Sequence, residues 1–195
     1  METIAHAEDV ELARRIAAGD EAAAEQLLRT LGREMFGFAR RMLGDAGAAE
    51  DALQETLLAM LKGAAGFDGR VPLRAWGFGI LRHKIADALR RRGRDAVVGD
   101  VDPERDAFAA SGHWRHLDFT PWREDEETLA VVRGCMETLP LRQREALELF
   151  ALEGKDGAET AAILGVTPVN LRQILHRGRS AVRKCADAKL GTYGD

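Results

Sequence analysis

The four residues Gly165-Val166-Thr167-Pro168 constrain this chain's fold more than any others, because they end one helix and begin another with no room for a loop. Within DGAETAAILGVTPVNLRQILHRGR (156–179), glycine suits the left-handed residue that closes a helix. Thr167 is placed to cap the next helix, and Pro168 falls at its first position, where a missing amide hydrogen does no harm. Ala161, four residues before Gly165, keeps the helix crossing narrow, and Val166 plugs the turn. This is the grammar of a helix-turn-helix. On its second helix Leu171, Leu175 and Gly178 share one face and should point inward, leaving Asn170, Arg172, Gln173, His176, Arg177 and Arg179 outward.

The charge of that outward face is one-signed. Residues 168–184 carry five bases and no acid, in a chain whose formal net charge is -4. A solvated helix intersperses both signs, since like charges at i,i+4 repel. Nucleic-acid phosphates supply the missing negative charge, and polar side chains here suit base edges. The segregation continues upstream. From Arg70 to Arg94 eight bases meet only Asp87, whereas from Asp95 to Ala130 ten acids meet three arginines. Two basic patches thus flank an acidic connector.

The punctuation elsewhere predicts an all-α protein. Gly19-Asp20, Gly44-Asp45 and Gly99-Asp100 each pair a helix-ending glycine with a helix-capping aspartate. Between the first two, Leu27, Leu28, Leu31, Met35, Phe36, Phe38 and Met42 recur at helical spacing; after the second come Ala49, Leu53, Leu57, Met60 and Leu61. A third helix is expected over Leu73 to Arg92. From about Asp95 to Trp122 no apolar period persists, and Gly99, Pro103, Gly112 and Pro121 interrupt it, so this stretch reads as a linker between two small helical domains. Phe108, Trp114, Phe119 and Trp122 within it suit local docking. Beyond it a helix closes at Pro140, and a second spans Arg142 to Leu152 with Ala146, Leu149 and Phe150 toward the core. The expected domains are 7–95 and 124–190, joined by an acidic linker over 96–123.

Two further stretches carry chemistry. VPLRAWGFGILRHKIADALRRR (71–92) interleaves Trp76, Phe78 and Ile80 with Arg74, Arg82, His83, Lys84 and an arginine run, a pattern that suits unstacked bases; Trp76 reads equally as a core anchor. AEDALQETL (49–57) lays Glu50, Asp51, Gln54 and Glu55 on one helix face, which by pattern alone is a solvated surface.

In this order the pieces resemble a bacterial sigma factor of the extracytoplasmic-function group, over nearly the whole chain. The resemblance implies that AEDALQETL grips the beta-prime clamp helices of core RNA polymerase through Asp51, Gln54 and Glu55. It implies that Phe67, Asp68, Arg74, Trp76, Arg82, His83, Arg90 and Arg91 serve minus-ten DNA, with the loop from Phe67 to Val71 capturing unpaired bases. LPLRQREALELFALEGKDGAETAAILGVTPVNLRQILHRGR is similar to region 4, so that Thr167, Asn170, Arg172, Gln173, His176, Arg177 and Arg179 would read the minus-thirty-five element, with the beta flap as a further contact. An anti-sigma factor that blocks the polymerase-binding surfaces is also implied.

No catalytic residue, cofactor or metal is expected. His113 and His116 lack diagnostic spacing, and no acid–base pair or phosphate loop accompanies them. Cys135 and Cys185 have no C-x-x-C partner and read as reduced buried thiols, with a redox role as the lesser reading. The N-terminus lacks an apolar signal region and no run of about 18 apolar residues occurs, so the expected location is the cytoplasm. The rival reading is a stand-alone helix-turn-helix regulator that dimerises on DNA, although no dimer stripe is visible.

Overall fold

The computed structural model describes residues 6–93, 126–152 and 157–191, and all its regular elements are helices. The N-terminal domain comprises α1 (Ala7–Ala17), α2 (Glu21–Leu43), α3 (Ala46–Gly63) and α4 (Leu73–Arg91), with a 3-10 turn at Ala64–Gly66. The C-terminal domain comprises α5 (Glu126–Glu137), α6 (Leu141–Leu147), a π-helical continuation at Glu148–Leu152, α7 (Gly157–Leu164) and α8 (Pro168–Leu190). The expected linker, with Gly99-Asp100, its four aromatics, His113 and His116, lies outside the described residues.

Local chemistry sets the helix ends. Asp20 accepts the Ala23 amide at 3.1 Å and Asp45 the Ala48 amide at 2.7 Å, each directly after a glycine in the left-handed region. The Arg15 guanidinium, then the Ala23 amide, hold Asp20 below the usual carboxylate range; for Asp45 the Ala48 amide leads and Arg92 adds to it. Lowered values mean both caps contribute fully above the ordinary aspartate range and fade as pH falls through the depressed ones. Pro72 has no side chain with which to cap α4, and the orphan amide of Leu73 is met from afar by Asp9 Oδ2 of α1 at 2.8 Å. This bond ties the first helix to the start of the basic one.

The apolar period of α2 delivers Leu27, Leu31, Met35, Phe38 and Met42 to the core, where Phe38 meets Phe78 of α4 edge-on at 5.7 Å between ring centroids. Leu28 and Leu61 depart from the expected inward set and are exposed. They lie at the margin of the apolar stripe, where helical spacing cannot separate core from rim.

Two expectations for the C-terminal domain are corrected. The second helix is not uniformly α: it widens to π geometry from Glu148, with Ala146 and Leu149 still buried. Cys135 and Cys185 are not separate reduced thiols but form a disulfide, with Cα atoms 5.8 Å apart. α5 packs along the C-terminal half of α8, which brings together two residues 50 positions apart that no local spacing could pair.

The two domains touch each other, chiefly where α7 lies on α4.

Candidate nucleic-acid interface

The turn of the helix-turn-helix forms as its residues dictate. Gly165 takes φ +63°, the Val166 amide reaches back to the Ala161 carbonyl at 3.0 Å, and the Thr167 hydroxyl accepts the Asn170 amide at 3.2 Å. Leu171, Ile174, Leu175 and Gly178 are buried. A Cβ at Gly178 would come 3.0 Å from Leu147 Cδ1, so glycine is what lets α8 lie close to α6.

The outward set divides. Arg172 and His176 are exposed, with Thr167 beside the helix start, whereas Asn170, Gln173, Arg177 and Arg179 are half-buried. Asn170 Oδ1 is buried without a hydrogen-bond partner, and the Arg179 guanidinium lies 5.4 Å from the centre of the Phe150 ring. Arg179 therefore braces α8 against the π segment, a cation–π contact that its place in the basic run did not suggest.

In the N-terminal domain the loop before α4 is compact. Asp68 accepts the Arg70 amide at 3.1 Å and its other oxygen lies 3.1 Å from Arg70 Nε, while Gly69 takes φ +70°. Phe67 is half-buried with its ring 5.3 Å from that of Trp76, whose six-membered edge lies against Gly63. Trp76 is thus packed on one side and only half-buried, so both readings of it retain a physical basis.

The basic residues of α4 are mostly engaged within the chain. Arg74 pairs with Glu34 of α2 and, at 3.2 Å, with Glu159 of α7. Arg82 donates to Glu145 of α6 at 2.7 Å and to the Ile163 carbonyl of α7 at 3.0 Å. Arg90 pairs with Asp87 one turn back, and exposed His83 donates from Nδ1 to the Gly79 carbonyl at 2.8 Å. Arg91 is exposed.

Asp51, Gln54 and Glu55 are all exposed along α3, as their pattern predicts. Lys84, one of the bases interleaved with the aromatics of α4, pairs with Glu55 at 2.9 Å. Asp51, Glu55, Lys84, Arg91 and Arg92 line a surface groove of about 180 Å³ between α3 and α4, so the acidic face and the basic helix share one border.

The acids that receive Arg82 and Arg41 were missed by sequence reasoning. Glu145 and Glu148 are almost fully buried, and Arg41 Nε reaches Glu148 at 2.8 Å. Burial pushes the Glu145 carboxyl above its ordinary range, and the adjoining Arg82 pulls it the other way. Two acids three residues apart beside buried Ala146 and Leu149 are the only hint of this that the sequence offers.

Among the described residues no cluster of three potential metal ligands occurs, and no helix is long and apolar enough to cross a membrane.

The comparisons with known proteins agree with this geometry. The Sigma-70 region 2 family matches residues 27–95, and Sigma-70, region 4 matches residues 129–182. The ECF RNA polymerase sigma factor EcfG of Rhodopseudomonas palustris is 32% identical over 143 residues, 73% of this chain and 74% of that protein. Among solved structures, CnrH in complex with the cytosolic domain of CnrY superposes with a TM-score of 0.66 at 25% identity, covering 92% of this chain and 97% of that one. The sigma factor RpoE of Bartonella quintana, in complex with the anti-sigma factor NepR, gives 0.57 at 25% identity over 83% and 94%. A helical domain with a basic fourth helix, followed by a helix-turn-helix whose second helix carries five bases and no acid over residues 168–184, is accordingly the two-domain body of an extracytoplasmic-function sigma factor, the family to which this chain belongs.

Proposed function

We propose that this sigma factor divides promoter recognition between its two domains, over residues 7–95 and 124–190, with the acidic stretch 96–123 as a tether. It acts by recruitment and strand opening, with no bond made or broken by its own side chains. The observation that carries this reading is the exposed start of α8: Arg172 is exposed one turn after the Thr167 cap and His176 one turn further, on a helix whose N-terminal partial charge attracts a phosphate. Gln173 and Asn170 lie within a turn of Arg172 and would meet base edges, with Arg177 on the phosphate backbone.

The N-terminal domain would hold the polymerase clamp through Asp51, Gln54 and Glu55, and capture unpaired bases at the Phe67 to Val71 loop, where the Trp76 and Phe67 rings provide a stacking surface beside exposed Arg70. The beta flap would meet the C-terminal domain. A role on core polymerase would put the protein in the cytoplasm. The complex of RpoE with NepR supports an anti-sigma factor as a further partner of this chain.

Run-off transcription with sigma-free core polymerase on a pool of genomic promoter fragments tests the whole reading. Discrete new transcripts are expected only when the protein is added. If none appear and no complex with core polymerase elutes on gel filtration, the stand-alone regulator takes its place.

Two substitutions test the assignments separately. Arg177→Ala is expected to weaken duplex promoter binding and to lower the slope of log affinity against log salt by about 1, as loss of one phosphate contact requires. An unchanged slope would remove Arg177 from the backbone. The double change Asp51→Ala with Gln54→Ala is expected to weaken core-polymerase binding roughly tenfold, about 1.4 kcal/mol. Both side chains are exposed, so helicity by circular dichroism should not move. Undiminished affinity would take the clamp contact away from this face of α3.

A further inference from the structure

The contact between the domains is built from opposite charges with a fixed division of sign. Three arginines of the N-terminal domain, Arg41, Arg74 and Arg82, meet three acids of the C-terminal domain, Glu148, Glu159 and Glu145, at 2.8, 3.2 and 2.7 Å. Two of these acids are removed from water almost entirely, with side-chain exposures of 5% for Glu148 and 3% for Glu145. Arg82 is drawn in with its partner to 16% and spends its second terminal nitrogen on the Ile163 carbonyl. Arg144 adds a bond in the reverse direction, donating to the Arg41 carbonyl. Carboxylates thus stand where phosphates would have to stand if Arg74 and Arg82 touched DNA.

Such a seam is poised rather than permanent. Desolvating two charges offsets most of what their attraction returns, so buried ion pairs add little net stability compared with apolar contacts. Arg82 Nε is moreover buried without a hydrogen-bond partner, a cost that water or a phosphate would relieve. Interfaces between domains of one chain are commonly of this polar, separable kind.

The closed form is also too small for the proposed task. A compact chain of this length has a radius of gyration of about 16 Å. Elements named for positions 35 and 10 lie roughly 25 base pairs apart, which is roughly 85 Å of duplex at 3.4 Å per pair. The 96–123 stretch, fully extended, reaches about 90 Å, so separation of the domains lets both elements be met at once.

We propose that the seam is an autoinhibitory latch: Glu145, Glu148 and Glu159 hold Arg82, Arg41 and Arg74 in the chain free of polymerase, and parting of the domains uncovers the minus-ten surface. This rests on the reading that Arg74 and Arg82 face promoter DNA. The latch explains how the basic face of α4 is kept from non-specific DNA until polymerase spreads the domains.

The test uses the full chain carrying Glu145→Gln and Glu148→Gln, two residues outside the proposed DNA and polymerase contacts. Small-angle X-ray scattering is expected to show the wild type compact and the variant expanded by several ångströms in radius of gyration. In the absence of polymerase, fluorescence anisotropy is expected to show the variant binding a single-stranded minus-ten oligonucleotide roughly tenfold more tightly, the size expected for freeing a closed population. Run-off transcription with core polymerase should be retained. Arg41→Gln opens the seam from the other side and serves if the double variant loses helicity. Unchanged dimensions in a folded variant would overturn the latch. Expansion without a gain in oligonucleotide affinity would overturn the occlusion. Whether Arg82 belongs to the DNA site is decided separately, by the effect of Arg82→Ala on strand opening in the polymerase-bound complex.

Discussion

Phe78→Ala is expected to cost the N-terminal domain about 3–5 kcal/mol, the range for deleting a fully buried phenylalanine. Phe78 on α4 and Phe38 on α2 are both fully buried, with their rings 5.7 Å apart at 66°. Removing one ring loses both its transfer energy and the edge-to-face contact, worth about 0.5–1.5 kcal/mol beyond area. Because a domain's whole stability is only about 5–15 kcal/mol, this single change brings the domain close to unfolding. Urea denaturation followed by circular dichroism should show the midpoint fall with little change in slope. Phe78→Leu, which keeps most of the volume, should cost much less. Polymerase binding should fail with Phe78→Ala and survive with Phe78→Leu, since the acids on α3 are presented by the packing of α3 against α4 rather than by contacts of their own. A loss below 1 kcal/mol for the alanine change would mean that neighbouring side chains collapse into the space and that the α2–α4 contact is not the anchor of this domain.

The features that the sequence makes legible are those whose cause lies within one or two helical turns. The Asp20 and Asp45 caps, the Gly165 turn and the Thr167 cap each need only residues three or four apart, and each forms as its spacing dictates. The exposed acids of α3 follow from the same 3.6-residue period. What escapes is what depends on pairing distant segments. Arg82 and Glu145 are 63 residues apart and Arg41 and Glu148 are 107 apart, so neither Arg82, which the basic run assigns to nucleic acid, nor Arg41 gives a sign that acids of the other domain hold it. Asp9, in an ordinary acidic first turn, caps a helix 64 residues away. Arg179 sits in an unbroken basic run, yet its partner is a ring from the π segment that follows α6. A basic run in sequence therefore overstates the number of arginines available to DNA, and the surplus is absorbed where the domains and helices meet.

The disulfide supplies the second large effect. Cys135 and Cys185 close a loop of 50 residues, and restricting the unfolded chain to that loop stabilises the folded domain by ~4 kcal/mol in the chain-entropy account. Cys135 is fully buried and Cys185 half-buried, so reductant enters from the α8 side. Reduction, or the double change Cys135→Ser with Cys185→Ser, is expected to lower the thermal midpoint of the C-terminal domain by on the order of 20 °C. The first amides to gain hydrogen exchange should be those of α5, which packs chiefly on α8. The Phe38–Phe78 core of the N-terminal domain should be indifferent, since neither cysteine touches it. DNA reading should be indifferent as well. Arg177 lies eight residues before Cys185 on the same helix, about 12 Å away along the axis, and the turn that positions Arg172 and His176 is held by Gly165 and Thr167 at the opposite end. At temperatures where the domain remains folded, affinity for duplex promoter DNA and its salt slope should therefore be the same with and without reductant. A change in slope on reduction would mean that α5 acts on the reading end of α8 through the length of the helix, and would make the cysteine pair a control on promoter binding rather than a staple of the fold.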